Sequence, residues 1–271
     1  MGTVVSLAIR EATAAAATTT EARAAAASTT EARAAAASTS EARAAADRAI
    51  AVLHGADRVF STWKPDSPVS RMRRGEITLT DAPPEVGLVI ELCRRARRAS
   101  GGWFDPWALP GGVDPTGLVK GWAAELALAE LRKAGVAGAM INAGGDIAVF
   151  GEPEPGGRWR VGIRHPLAAD RFLTVVTLSG HDRAVATSGS YERGLHVLDP
   201  GAGEPASALL AATVVGPDLA FADALATGLL ASGGRALARV AGLRGYSALV
   251  VGAGGEVRAT LGFPAELERA A

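Results

Sequence analysis

The chain of 271 residues has one cysteine, Cys93, so no internal disulfide can form and nothing points to an oxidising compartment. Its four histidines are scattered and no Cys/His cluster occurs, which argues against a structural zinc site. Neither charge is in surplus: 28 Lys plus Arg balance 28 Asp plus Glu. A nucleic-acid binder needs a basic excess to neutralise phosphates, so that class is excluded. Aromatics are only 5 % of the residues. No apolar run reaches the length of a membrane span. Met1-Gly2-Thr3 leads straight into Val4–Ile9, too short for the apolar region of a signal peptide. The expectation is a cytoplasmic protein with neither nucleic acid nor membrane as partner.

What is present is alanine and glycine. The hydrophobic fraction is 48 %, and there are 33 glycines. Residues 11–50 hold a ten-residue repeat whose copies begin at Glu11, Glu21, Glu31 and Glu41. Twenty of these forty residues are alanine, and Ile50 is the first large apolar side chain. Ala, Glu and Arg favour helix, whereas the Ser/Thr clusters do not. On a helix of about 100° per residue, a ten-residue period drifts by about 80° per copy, so no fixed apolar face forms. One continuous helix is the favoured reading of 11–50, an insertion with no core of its own. Short frayed helices, each begun by a capping box at Ser28–Glu31 or Ser38–Glu41, are the alternative. From Ile50, the residues Val52, Leu53, Ala56, Val59 and Phe60 form an apolar stripe where the helix enters the body.

Beyond the repeat, 61–76 reads as a loop with a short turn. Helices are expected over 84–100, 118–134, 219–231 and 235–241. Strands are expected at 139–142, 146–150, 158–164, 173–178, 183–186, 196–198 and 212–215, and 247–251 with 257–261 form a hairpin. Helices flank runs of strands at hairpin spacing instead of alternating with single strands. That pattern predicts an α+β fold with mostly antiparallel sheet, in one domain over 1–271.

Four segments combine loop glycines with charged or hydroxyl residues. Gly101-Gly102-Trp103-Phe104-Asp105-Pro106, then Thr116-Gly117-Leu118-Val119-Lys120-Gly121, would bring backbone N–H groups and a lysine to an anion at a helix start. The spacing is not that of a P-loop, and the plain alternative is loop glycine with a solvated lysine. Asn142-Ala143-Gly144-Gly145-Asp146 ends a strand in a turn that faces a ligand or simply closes a hairpin. Ser188-Gly189-Ser190-Tyr191 and His196 follow, with His196 a general base, a phosphate-contacting donor or a core histidine. Asp223 and Thr227 stand one helical turn apart and could ligate Mg²⁺, or Asp223 could serve only the helix dipole.

In order, these segments resemble the signature of the ApbE-type FAD:protein FMN transferase family. The resemblance also takes in Ser61-Thr62-Trp63 with Ser70-Arg71, and His196-Val197-Leu198-Asp199-Pro200. It runs over about residues 2–262 apart from the repeat. It implies an ApbE-like fold and an enzyme that binds FAD, uses Mg²⁺ and transfers FMN through a phosphoester bond to a Thr or Ser of an acceptor flavoprotein, with release of AMP. It implies Mg²⁺ ligation by Asp223, Thr227 and the Ala143 carbonyl, and a catalytic role for His196 alongside Asp223. It also implies FAD contacts from Trp63, Ser70, Phe104, Asp105, Gly117, Lys120, Asn142, Ala143, Gly144, Gly145, Ser188, Gly189, Tyr191 and His196. A monomer or homodimer is expected. Three residues depart from the family pattern: Arg73 where an Asn is usual, Leu195 where many members have a second histidine, and Ala202 where a hydroxyl is usual. Two alternatives stay open: an FAD pyrophosphatase that yields FMN and AMP, as some members are, and an FAD-binding protein without turnover, which Arg73 and Ala202 motivate.

Overall fold

The computed structural model describes residues 4–10, 19–24, 32–34, 40–109, 111–178, 183–190, 194 and 197–266. Strands β1 (Val5–Arg10), β2 (Thr19–Ala24) and β3 (Ala32–Ala34) precede helices α1 (Ser40–Phe60), α2 (Pro68–Arg73), α3 (Pro84–Ser100) and α4 (Thr116–Lys133). Then come β4 (Gly138–Ala143), β5 (Asp146–Gly151), β6 (Trp159–His165), β7 (Ala168–Leu178), β8 (Arg183–Gly189) and β9 (Leu209–Gly216). Helices α5 (Leu219–Ala231) and α6 (Leu237–Ala241) and strands β10 (Ser247–Gly252), β11 (Val257–Ala259) and β12 (Ala265–Glu266) complete the described chain.

Among the described residues nine strands form one antiparallel sheet in the order β11-β10-β9-β8-β5-β4-β1-β2-β3, and β12-β7-β6 form a second. Alternation along the strands assigns the two faces of the large sheet. Ala148 and Phe150, Ala184 and Ala186, Ala212 and Val214, and Ala248 and Val250 face the helices. Ile147, Val149, Val185 and Val215 face the opposite way, onto Trp159, Val161, Ile163, Val176 and Leu178 of the small sheet. The architecture is therefore three layers: helices, large sheet, small sheet. Five of the eight helix-facing residues just named are alanines, whose small side chains let α4 and α5 approach the sheet closely.

The long helix expected over 11–50 is not what the described part of the repeat forms. Thr19–Ala24 and Ala32–Ala34 are strands, and helix begins only at Ser40. Residues 11–18, 25–31 and 35–39 of that expectation lie outside the described residues. β1 pairs with β4 on one side and offers its other edge to β2, so backbone pairing in the sheet overrides alanine's helix preference. The entry of α1 into the body is as its stripe predicts: Leu53, Ala56 and Phe60 are buried, and the Phe60 ring meets Trp122 edge-on at 5.4 Å.

Two further segments differ from the sequence reading. The 61–76 stretch contains a true helix, α2, because Ser67 caps it by accepting from the Ser70 N–H at 3.0 Å and Pro68 stands at its first turn. The strand expected at 196–198 shrinks to a single bridge between Leu198 and Pro205, with His196 outside the described residues. Cys93 is buried in α3, and burial pushes its thiol up to about 12, with the nearby Asp114 charge adding to the lift. It is a packing residue with an inert thiol.

Candidate functional site

The β4–β5 hairpin closes at Gly144-Gly145, both at positive φ (64° and 95°), with the Asn142 side-chain oxygen accepting from the Gly145 N–H at 2.8 Å. A turn with two left-handed residues favours glycine, which explains the pair. The turn sets Asp146 directly across from Ala143. Asp146 shares the helix-facing side of β5 with Ala148 and Phe150, so its carboxylate points into the helix layer rather than out to water.

There it meets α4. Lys120 Nζ lies 2.6 Å from Asp146 Oδ2, and Asp146 Oδ1 accepts from the Thr187 N–H at 3.0 Å. Asp146 is buried, whereas the lysine side chain is a quarter exposed, so the pair has one dry and one wet end. Ser188, one residue along β8, shares a hydrogen bond with Thr227 Oγ1 of α5 at 3.2 Å. Asp223, one turn before Thr227, is buried, and its Oδ2 has no hydrogen-bond partner among the described residues. Burial pushes the Asp223 carboxyl up to about 8; Lys120 pulls it back and Asp146 pushes it further up.

Two helices deliver these groups, and they cross with backbone against backbone. A methyl group at Gly121 would stand 2.5 Å from the Leu219 carbonyl oxygen. Only glycine permits that approach, and it brings the face of α4 carrying Gly117 and Lys120 against the face of α5 carrying Asp223 and Thr227. A methyl at Gly117 would lie 3.2 Å from the Phe104 ring and 3.3 Å from Thr227 Oγ1, so buried Phe104 adjoins the same corner.

Of the residues singled out from sequence, the structure thus gathers Phe104, Gly117, Lys120, Ala143, Ser188, Asp223 and Thr227 around one corner, with Asn142, Gly144 and Gly145 shaping its turn. Gly189 ends β8 beside Ser188. Three others are placed differently. Ser70 is buried, and its hydroxyl donates to the Ser61 carbonyl at 3.1 Å, clasping the α1–α2 turn. Asp105 pairs with Arg97 at 2.9 Å and accepts from the Trp107 N–H at 3.0 Å. Trp63 is 91 % exposed in the turn after α1. Tyr191 and His196 lie outside the described residues. Asp146 is the member that sequence reasoning left out of the site. Its position at the end of the Asn-x-Gly-Gly turn was the available signal.

The donor set suits a hard, oxygen-seeking cation. It offers a dry carboxylate oxygen with no hydrogen-bond partner among the described residues, a hydroxyl one turn on and a second carboxylate beside a lysine. Among the described residues no group of three or more His, Cys, Asp or Glu side chains converges.

The ApbE family model matches residues 1–111 and 108–250. The chain belongs to the ApbE family. Curated relatives carry the name FAD:protein FMN transferase. The one from Vibrio cholerae serotype O1 is 32 % identical over 130 residues, 45 % of this chain and 39 % of that protein. The one from Rhodobacter capsulatus is 34 % identical over 176 residues, 57 % of this chain and 33 % of that protein. The matched stretch thus spans between a third and two-fifths of the length of these relatives. The ApbE protein of Thermotoga maritima has the same fold, with a TM-score of 0.75 at 20 % identity over 96 % of this chain and 99 % of that one. So does the flavin transferase ApbE of Vibrio cholerae, with a TM-score of 0.71 at 19 % identity over 94 % of this chain and 98 % of that one.

Within this family frame two departures acquire a local role. Arg73 pairs with Asp114 at 3.7 Å and donates to the Gly112 and Val113 carbonyls at 3.4 and 3.3 Å, holding the loop that leads into α4. The Ala202 N–H donates to Asp199 Oδ1 at 3.2 Å, so Asp199 closes that turn without a hydroxyl. Leu195, the third departure, lies outside the described residues.

Proposed function

We propose that the chain is a Mg²⁺-dependent FAD:protein FMN transferase, joining FMN to a Thr or Ser of an acceptor flavoprotein and releasing AMP. One observation carries the reading: the buried Asp223 carboxylate oxygen that lacks a hydrogen-bond partner among the described residues, set one turn from Thr227 and beside the Lys120–Asp146 pair.

Asp223, Thr227 and the Ala143 carbonyl would hold the cation. Mg²⁺, when bound, draws charge from the phosphoryl oxygens of the FAD pyrophosphate. The chain's residues do the rest by position and charge. Lys120, a quarter exposed and paired with Asp146, would turn its ammonium to the incoming phosphate, the pair keeping the lysine in place before substrate arrives. The Gly144-Gly145 turn and Ser188-Gly189 would line the flavin pocket, and exposed Trp63 would offer its ring to a flat flavin or adenine. His196 takes the proton from the acceptor hydroxyl. That oxygen then forms the new bond to the FMN phosphorus, the bond from this phosphorus to the bridging oxygen breaks, and AMP leaves with that oxygen. Phosphoryl transfer requires positioned anions more than covalent catalysis, and this corner supplies position.

The test is FAD cleavage followed as AMP release in the presence of Mg²⁺ and an acceptor flavoprotein domain. Asp223→Ala is expected to abolish it, because the cation loses its charged ligand. Full activity in that variant would overturn the metal assignment. AMP and FMN appearing at the same rate without acceptor would replace the transferase by a pyrophosphatase.

A further inference from the structure

The face of α4 that builds the site continues for one more turn, to a residue that none of the motifs contains. Gly117, Gly121 and Glu125 follow one another at four-residue steps and so lie on one side of the helix. Gly117 adjoins Thr227, and Gly121 adjoins the Leu219 carbonyl. Glu125 Oε1 accepts from the Leu219 N–H at 2.5 Å. The first N–H groups of a helix have no partner within it, and a carboxylate there satisfies a donor and meets the positive end of the helix dipole.

The start of α5 is therefore held by two carboxylates with different anchors. Asp218 belongs to the chain entering α5: it accepts from the Phe221 N–H at 2.8 Å, and its other oxygen accepts from the Tyr246 hydroxyl. Glu125 is fixed to a different helix. It ties α5 to α4 rather than to itself, next to the backbone crossing at Gly121. Asp223 lies one turn after Leu219 on the rod that this bond pins, and Lys120 lies just over one turn before Glu125 on the other.

We propose that Glu125 is a positioning residue, whose carboxylate on α4 fixes the depth of the first turn of α5 and so sets Asp223 and Thr227 against Lys120. The proposal rests on the metal-assisted reading of the site given above. Other groups near Glu125 do not replace it. Asp218 repels it, Tyr246 is committed to Asp218, and Arg95 lies over the Phe221 ring. Arg132 and Arg183 line a cavity together with Glu125 itself, Leu128, Ala148 and Pro217. Arg132 stands over the Phe150 ring.

The test compares the full-length wild type with Glu125→Ala and Glu125→Gln, the latter keeping an acceptor oxygen at the same reach. The first readout needs no ligand: amide hydrogen exchange in residues 219–227. The second is the Mg²⁺ concentration that half-saturates FAD cleavage. Glu125→Ala is expected to speed exchange in this segment and to raise the Mg²⁺ half-saturation about tenfold, the low end for groups that support metal ligands. The rate at saturating Mg²⁺ should change much less, and Glu125→Gln should restore both readouts. A merely structural role would lower the yield of folded protein without moving the half-saturation. A folded Glu125→Ala protein with wild-type exchange and wild-type half-saturation overturns the proposal. If that variant does not fold, Glu125→Asp, which keeps the charge and shortens the reach, takes its place with the same expectations. A wild type that never cleaves FAD overturns the transferase reading, and the exchange comparison then decides alone whether Glu125 holds the helix.

Discussion

Glycine to alanine is a single-methyl change, and this fold should answer it with opposite signs at two helix positions. At Gly121 the new carbon would lie 2.5 Å from the Leu219 carbonyl oxygen, 2.7 Å from its carbon and 2.9 Å from the Ala220 nitrogen. All three are backbone atoms, so no side chain can rotate away. Ordinary contact begins at 3.4 Å, so α4 and α5 must part by roughly 0.9 Å, the difference between 3.4 and 2.5 Å. Overpacking of this kind costs about 2–3 kcal/mol, even after the better helix propensity of alanine is credited. For a domain of this size that lowers Tm by roughly 6–10 °C. At Gly87, inside α3, a methyl meets nothing within 4 Å. There the gain in helix propensity stands alone, and Gly87→Ala should stabilise by about 0.5–1 kcal/mol. Thermal unfolding followed by circular dichroism reads both. FAD cleavage, measured well below the lower Tm, should fall in Gly121→Ala, because the separation moves Asp223 away from Lys120, and should not change in Gly87→Ala. A Gly121→Ala protein with the Tm and turnover of the wild type would refute the backbone crossing on which the geometry of the site depends.

Two other outcomes follow from the same contacts. Burial lifts Glu125 to about 7 and Asp223 to about 8, so in the metal-free fold both carboxyls keep protons that the unfolded chain has already released. Stability from these groups is then full below about pH 4 and is lost as pH rises through 7 to 8. Denaturant melts across that range should show the decline. Glu125→Gln should remove part of it, at most about 3 kcal/mol, and leave the Asp223 share; an identical slope in both proteins would contradict the assignment. Trp63→Ala should leave stability within about 0.5 kcal/mol, since the ring is 91 % exposed, yet weaken FAD binding about three- to tenfold by fluorescence titration. Unchanged FAD affinity would remove Trp63 from the site.

The sequence was most informative where local chemistry decides. Helix α3 runs over the expected 84–100, and its apolar face of Val86, Val89, Ile90 and Cys93 is buried as the spacing predicts. Helix α5 has the expected bounds, and Asp218 is a good N-cap. The alanine repeat misled because helix propensity is a local signal. Pairing of 19–24 and 32–34 beside β1 depends on a sheet edge that no local pattern reveals. The short Val4–Ile9 run carried too few residues to declare itself, yet β1 is a central strand. In the site, the ordered motifs announced Lys120, Asp223 and Thr227. They could not show that Asp146 would hold Lys120, because this contact depends on the face that β5 turns to α4. Glu125 stayed hidden for the same reason, since its role exists only once α5 lies across α4.

The most direct test is the intact mass of an acceptor flavoprotein domain after incubation with this protein, FAD and Mg²⁺. The account predicts a gain of one covalently bound FMN per acceptor, AMP released in equal amount, and no gain when the acceptor hydroxyl is removed or Asp223 is replaced by alanine. An acceptor of unchanged mass, with FAD either intact or split to free FMN and AMP, would contradict it.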